Sequence, residues 1–187
     1  MRSPEAERVR QWLFENVKTA RSETLEEARK QGEARAARTP LAPGTKLATV
    51  TAGAVPAEWV IAARAQAAAV SGASTSHVAT AAQADTATTS DTVILHLHGG
   101  GYTMGSLATA RGLASLFSSY AGVPVLSIDY RLAPESPFPA ALDDALAAYS
   151  WLLAEGHEPD TIILTGDSAG GGLALATMLS LRNRGLP

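Results

Sequence analysis

The fold of this chain is decided by eleven residues, TIILTGDSAGG, at positions 161–171. The apolar and β-branched run Thr161–Thr165 predicts a strand that is buried on both faces. The run Ala169–Arg184, which only three residues separate from that strand, has the pattern of a helix. A strand that turns so sharply into a helix holds the residue at the turn, Ser168, in a strained conformation. We therefore predict that the Ser168 hydroxyl is presented at a helix N-terminus, where developing negative charge is stabilised.

The two glycines of this turn, Gly166 and Gly170, are predicted to be required, because a Cβ at either position would clash across the turn. A Gly-x-Ser-x-Gly sequence alone is a weak signal, and an ordinary glycine-rich turn is the alternative. The strand before it and the helix after it make the signal specific. We interpret Ser168 as a catalytic nucleophile.

A second motif, His98-Gly99-Gly100-Gly101-Tyr102, follows the apolar run Thr92–Leu97, which we also predict to be a buried strand. Three successive glycines expose backbone amides that no side chain covers. Such amides stabilise the oxyanion that forms when an acyl carbon is attacked. His98 and Asp167 are expected to support the two loops, and His98 is not expected to be the catalytic base. The predicted oxyanion donors are the backbone amides of Gly100, Gly101 and Ala169.

Two other glycine-rich motifs fail here by one residue each. A dinucleotide-binding fingerprint on Gly99 and Gly101 needs a third glycine at position 104, which is Met104. A phosphate-binding loop needs a lysine where this chain has Ser106. We therefore predict no nucleotide cofactor, and no cofactor of another kind is indicated.

The remaining pattern predicts an α/β protein. After residue 91, strands alternate with helices, which implies parallel pairing through right-handed crossovers. A turn is expected at 53–56, and a polar helix over 24–38 with a Thr24–Glu27 capping box is expected to have a solvated face without a partner. The other elements predicted before the serine motif are helices over 4–18, 107–120 and 140–154, and strands over 46–52, 58–62 and 123–128.

Four motifs follow one another along the chain: His98–Tyr102 with Gly105-Ser106, Asp129–Glu135, Phe138–Asp144 and Gly166–Gly171. In this order they resemble the motifs of the hormone-sensitive-lipase-like esterases, the α/β-hydrolase fold-3 group. The resemblance implies a mostly parallel sheet with helices on both faces and hydrolysis of small carboxylic esters with short or medium acyl chains, with Ser168 as the nucleophile. It also implies N-terminal cap helices over 1–45 and a partial core over 46–187. The Ala/Ser/Thr-rich composition of 64–90 predicts a flexible insertion, which is longer than the usual connection in that family.

One part of the family pattern is not found. In this fold the triad acid and base follow the serine in the chain, yet residues 169–187 contain no Asp, Glu or His. We expect the C-terminal strands, the triad Asp and the triad His to lie outside this sequence, so that the 187-residue chain alone is inactive. Two alternatives stay open: a non-catalytic protein that binds a small ligand, and a remnant without a role.

Other polar and aromatic residues are assigned structural roles. His96 and His98 could form half of a zinc site, but no third ligand has a supporting spacing, so no metal is expected. Asp129, Arg131 and Glu135 are expected to fix a loop. His157 is expected to be exposed, and nothing orients His77 in the insertion. Packing is the interpretation for Trp12, Trp59 and Trp151.

The composition excludes several classes of protein. A net charge of −3 and an isoelectric point near 5.8 do not suggest a nucleic-acid or anionic-membrane partner. The absence of cysteine excludes disulfides and thiolate metal sites. No secretory signal or membrane span is evident, and a cytoplasmic location is expected. If 161–165 is an uncovered edge strand, the chain is expected to form oligomers or aggregates.

Overall fold

The computed structural model describes residues 24–66 and 92–187, together with residues 3, 4, 7, 8, 10 and 11. Most of the helix predicted over 4–18 therefore lies outside the described residues, although Pro4, Glu7 and Arg8 are helical. Most of the predicted insertion at 64–90 also lies outside them, and its first residues belong to a helical turn over 63–66.

Five strands form one sheet: β1 (Lys46–Ala52), β2 (Val55–Ile61), β3 (Val93–Leu97), β4 (Val125–Ile128) and β5 (Ile162–Gly166). Their order across the sheet is β1-β2-β4-β3-β5. The strand β3 pairs in parallel with both β4 and β5, whereas β2 pairs antiparallel with β1 and β4. Four strands thus run in one direction, and the mostly parallel sheet predicted from the sequence is confirmed.

The start of β2 differs from the prediction. The strand begins at Val55, not at Glu58, because the turn takes only Gly53 and Ala54. Gly53 has a φ of +68°, which suits a tight hairpin turn. Pro56 lies within the strand, next to its first residue, and its carbonyl accepts a hydrogen bond from the Asp129 amide at 2.8 Å. A proline is tolerated near a strand end, where its missing N–H costs little.

Four longer helices lie on both faces of the sheet, as predicted. They are α1 (Leu25–Ala36), α2 (Leu107–Ala121), α3 (Ala140–Ala154) and α4 (Ala169–Asn183). The helix α2 packs against β2 and β4, whereas α3 and α4 pack against each other and against strands on the opposite face. Residues of β3 alternate between two separate apolar clusters: Leu95 joins that of α3 and α4, and Ile94 joins that of α2.

Most element boundaries agree with the sequence prediction within two residues. The predicted capping box of α1 is present, with the Glu27 amide donating to the Thr24 hydroxyl at 3.2 Å. A short 3₁₀ helix, Pro159–Thr161, precedes β5 and moves the start of that strand to Ile162. Among the described helices, none has the length and apolar character that crossing a membrane requires.

Candidate active site

The tight turn predicted around Ser168 is present between β5 and α4. Ser168 is the N-cap of α4, with φ 51° and ψ −118°, and it is exposed. Residues other than glycine rarely adopt such a conformation, which costs on the order of 1–3 kcal/mol. The turn therefore presents the Ser168 hydroxyl beside the first amides of α4, which have no partners within the helix.

Both glycines of this turn are sterically required, as predicted. A Cβ at Gly166 would lie 2.6 Å from the Leu97 carbonyl oxygen and would overlap the backbone of Gly170. A Cβ at Gly170 would overlap the same Leu97 oxygen. The neighbouring strand β3 thus approaches the turn so closely that no side chain fits between them.

The sheet register brings the two glycine motifs together. Leu97, the last residue of β3, is paired with Gly166, the last residue of β5, so both loops leave the sheet side by side. The Gly99 amide donates to Asp167 Oδ1 at 2.9 Å and fastens residues 98–105, here called the glycine loop, to the turn that carries Ser168. A Cβ at Gly99 would overlap that carboxylate, so the fastening also needs a glycine.

The glycine loop itself has a left-handed backbone at three successive residues. The φ angles of Gly100, Gly101 and Tyr102 are 128°, 63° and 62°. The Gly100 carbonyl accepts from the amides of Thr103 and Met104, at 3.1 and 2.9 Å, which closes the loop into a turn. This curvature turns the loop back on itself, so its amides are not used in the sheet.

Tyr102 is a site residue that the sequence reasoning missed. Its carbonyl accepts from the Ala133 amide at 2.8 Å, and its side chain is partly exposed. A Cβ at Gly172 would lie 3.0 Å from the Tyr102 hydroxyl oxygen, so the phenol lies over the first turn of α4. An aromatic residue directly after three glycines was the only signal in the sequence for this role. The sequence does not reveal the left-handed backbone conformation that places the phenol there.

His98 lies buried beneath the glycine loop. Its ring stacks on Tyr130 with centroids 4.2 Å apart, and its Nδ1 lies 2.9 Å from the Gly99 carbonyl oxygen. The Tyr130 hydroxyl donates to the His98 carbonyl at 2.6 Å. Burial lowers the pKa of His98, so the neutral ring is favoured.

His96 is fully buried in the middle of β3, edge-on to Phe117 of α2. Neither of its ring nitrogens has a hydrogen-bond partner within the described part of the chain. Burial lowers the pKa of His96 to about 4, against the opposing effect of the Asp167 carboxylate. Within residues 24–66 and 92–187, no three His, Asp or Glu side chains are grouped as metal ligands.

The acidic motif after β4 is held by ion pairs. Arg131 pairs with Asp144 at 2.7 Å and not with Asp129, and Glu135 pairs with Arg29 at 2.7 Å. Burial raises the pKa of Asp129. The contacts of Arg131 and Glu135 tie the loop after β4 to α3 and α1, in line with the loop-fixing role predicted for them.

His157 is half-buried, which contradicts the expectation that it is exposed. Its ring centroid lies 6.5 Å from that of Trp59, because the loop before β5 folds onto this indole. Trp59 in turn lies 6.4 Å from Trp151, which agrees with the packing role predicted for both. His157 precedes β5 whereas Ser168 follows it, so the strand separates them by roughly 15 Å. His77 and Trp12 lie outside the described residues.

The expectation that α1 has no partner is wrong. The helix packs on α2, and Arg29 donates to the Thr103 carbonyl at 2.7 Å and to the Ala133 carbonyl at 3.0 Å. Glu33 accepts a hydrogen bond from the Ser106 hydroxyl. Charged side chains that look solvated on a helical wheel thus reach loops that lie far away in the sequence.

Comparison with known proteins supports the assignment of the fold. The profile of the α/β-hydrolase fold family matches residues 94–187, half of the chain. An acetyl-hydrolase of Streptomyces hygroscopicus is 51% identical over 94 residues, which are 50% of this chain and 31% of that protein. An esterase of Acinetobacter venetianus is 44% identical over 92 residues, which are 49% of this chain and 30% of that protein.

Solved structures match over the whole chain. An esterase of the bacterial hormone-sensitive lipase family superposes with a TM-score of 0.76 and 39% identity, covering 100% of this chain and 55% of that structure. A mutant of the esterase E40 gives a TM-score of 0.77 and 38% identity with the same coverage. The chain thus spans about half the length of these structures and less than a third of the curated relatives above. It belongs to the α/β-hydrolase fold family, among the hormone-sensitive-lipase-like members.

Proposed function

We propose that this chain carries the nucleophile and the oxyanion hole of a carboxylic ester hydrolase. One observation carries the proposal: the strained, exposed Ser168 lies at a helix N-terminus beside a glycine loop that the Gly99–Asp167 hydrogen bond fastens to the same turn. Strain of this kind persists only where the surrounding structure imposes it, and it is concentrated at functional sites.

The proposed oxyanion donors are the amides of Gly100, Gly101 and Ala169. Ala169 is the first residue of α4, so its amide is one of the four that a helix leaves without internal partners. The helix dipole adds positive potential at the same end. His98 and Asp167 are proposed to support the loop, His98 from below through its Tyr130 stack and Asp167 through the Gly99 amide.

The proposed reaction passes through an acyl-enzyme. The Ser168 Oγ attacks the ester carbonyl carbon while a histidine takes its proton, and the carbonyl electrons move to an oxygen held by the three amides. The intermediate collapses, the C–O bond to the alcohol breaks, and the histidine returns the proton to the alcohol. Water then releases the acid by the same steps. The triad Asp and His are expected outside this sequence.

The proposed substrates are small esters with short or medium acyl chains. One relative is named acetyl-hydrolase, which supports a small acyl group, and another is named esterase, which supports ester hydrolysis. The Tyr102 phenol lies over the first turn of α4, the helix that begins after Ser168, and we propose that it limits the size of the acyl group.

A complementation assay tests the proposal. The chain is fused to the C-terminal half of a hormone-sensitive-lipase-like esterase, and hydrolysis of p-nitrophenyl acetate and butyrate is followed. We expect turnover that the Ser168→Ala variant lowers by a factor on the order of 10⁴ to 10⁶. Ser180→Ala, on the same helix, is the matched control and should retain full activity. Equal rates for the fused chain and its Ser168→Ala variant would contradict the assignment.

The same variants test the alternative of a non-catalytic ligand binder. The 187-residue chain alone is expected to show no turnover above its Ser168→Ala control, because no base reaches Ser168 among the described residues. Saturable binding of an ester by this chain, together with a fused chain that never turns over, would favour the binding protein.

A further inference from the structure

The guanidinium of Arg29 joins two loops of the candidate site. Its Nε donates to the Thr103 carbonyl at 2.7 Å, and Nη2 donates to the Ala133 carbonyl at 3.0 Å. Both Nη atoms also pair with the Glu135 carboxylate, at 2.7 and 2.9 Å. Thr103 belongs to the glycine loop, whereas Ala133 and Glu135 belong to the loop after β4. One side chain of α1 therefore holds both loops at once.

The glycine loop needs such a restraint because its conformation is not the one its residues prefer. Tyr102 has a φ of 62°, in the left-handed region of the backbone, which is unfavourable for residues that have a Cβ. Its carbonyl is held by the Ala133 amide, and the next carbonyl, that of Thr103, is held by Arg29. Two restraints thus act on adjacent peptide groups, immediately after the amides proposed to bind the oxyanion.

The position of Arg29 is itself determined by further contacts of α1. Glu33, one turn later on the same helix, accepts from the hydroxyl of Ser106, the N-cap of α2. A Cβ at Gly112 would lie 2.8 Å from the Thr39 methyl group, so the segment after α1 lies close against α2. Arg29 is therefore presented to the loops from a docked helix.

We propose that Arg29 is a positioning residue that keeps the glycine loop in the conformation that directs its amides toward the oxyanion. The inference deepens the proposed function and rests on it for the role of the loop. It assigns a task to α1 that goes beyond covering the site: the helix stabilises the strained backbone on which the anion hole depends.

The test is amide hydrogen exchange of the 187-residue chain, resolved to single amides. In Arg29→Met, the hydrogen-bonded amides of Thr103, Met104 and Ser106 are expected to exchange at least about tenfold faster, while those of β3 keep their protection. Glu135→Gln leaves both carbonyl contacts available and should give a smaller increase. Lys30→Met is the matched control, since it removes an exposed cation from the same helix, and it should leave exchange in the loop unchanged.

Unchanged exchange of the Thr103, Met104 and Ser106 amides in Arg29→Met would overturn the proposal, as would an equal increase in Lys30→Met. If Arg29→Met fails to fold, Arg29→Lys decides, because one ammonium cannot hold two carbonyls and a carboxylate in the same geometry. Faster exchange confined to the loop in Arg29→Lys supports the proposal, and protection equal to that of the unchanged chain overturns it. The readout needs no turnover, so it fails or succeeds independently of the Ser168 assay.

Discussion

At the scale of single residues, backbone strain is concentrated at the candidate site. Within the described ranges, only Tyr102 and Ser168 combine a side chain with a positive φ, and they lie on the two adjoining loops. Glycine stands wherever these loops approach each other too closely for a Cβ, as at Gly99 and Gly170. The sheet stabilises the fold sufficiently to impose both conformations, and the reactive geometry depends on that stability.

The glycine requirement predicts a large effect of one methyl group. Gly170→Ala is expected to destabilise the chain by about 3 kcal/mol or more, because the new Cβ overlaps the Leu97 carbonyl and the backbone cannot yield cheaply. Gly32→Ala in α1 is the control: its Cβ meets nothing closer than 3.9 Å, and alanine favours a helix by up to about 1 kcal/mol. Urea denaturation of both variants measures the difference, and equal stabilities would contradict the steric argument.

The buried His96 predicts a loss of stability in mild acid. Burial lowers its pKa in the folded chain to about 4, from the ordinary histidine value of 6.5. The unfolded chain therefore binds the proton first, so this contribution is complete above pH 6.5 and is lost as the pH falls toward 4. The loss reaches about 3 kcal/mol.

His96→Phe isolates this contribution from that of the carboxylates. The ring keeps its edge-on place beside Phe117 but cannot be protonated. Unfolding free energies of the chain and the variant, measured by urea denaturation between pH 4 and 7, are expected to diverge as the pH is lowered. Parallel curves across this range would show that His96 does not titrate as the burial implies.

At the scale of elements, the sequence was most informative where a motif restricts the backbone. The position of the turn at Ser168 followed from the strand, the two glycines and the helix pattern. The start of β2 was missed because Pro56 resembles a turn residue, and only its place near the strand end makes it acceptable. The partners of Arg29 were missed because they lie 74 to 106 residues away. Propensity and periodicity describe a helix and its faces, but they do not identify what a distant loop brings to that face.

A buried ion pair joins α2 to β2, beside the apolar contact of Val60 with Ala114. Glu58 is 2% exposed and accepts from Arg111 Nε and Nη2 at 2.7 and 2.8 Å. Arg111→Leu is expected to cost about 3 kcal/mol, because it leaves a buried carboxylate without its partner. The double variant Glu58→Leu/Arg111→Leu should recover most of that loss. Thermal or urea denaturation measures both, and a double variant less stable than Arg111→Leu would contradict the desolvation argument.

At the scale of the whole molecule, the β5 end of the sheet carries exposed apolar side chains on both faces. Ile163 on β5 is 48% exposed, and β5 is paired with β3 alone among the described strands. The outer face of α4 adds Leu175, Met178 and Leu179, which are spaced three and four residues apart and are each more than half exposed. A strand with an unpaired edge beside an apolar helix face favours association with other chains.

We therefore predict that the 187-residue chain self-associates through this surface, as the sequence led us to expect for an uncovered strand 161–165. Sedimentation or light scattering at micromolar concentration should detect oligomers, and Leu175→Glu/Met178→Lys should shift the distribution toward monomer, because burying these charges in an interface is unfavourable. Leu116→Glu is the matched control, since Leu116 is 46% exposed but lies on α2, on the face of the sheet opposite α4. A monomeric parent chain would contradict the prediction outright. An equal response to Leu116→Glu would place the association elsewhere, and the exposed edge of β5 would then not be what drives it.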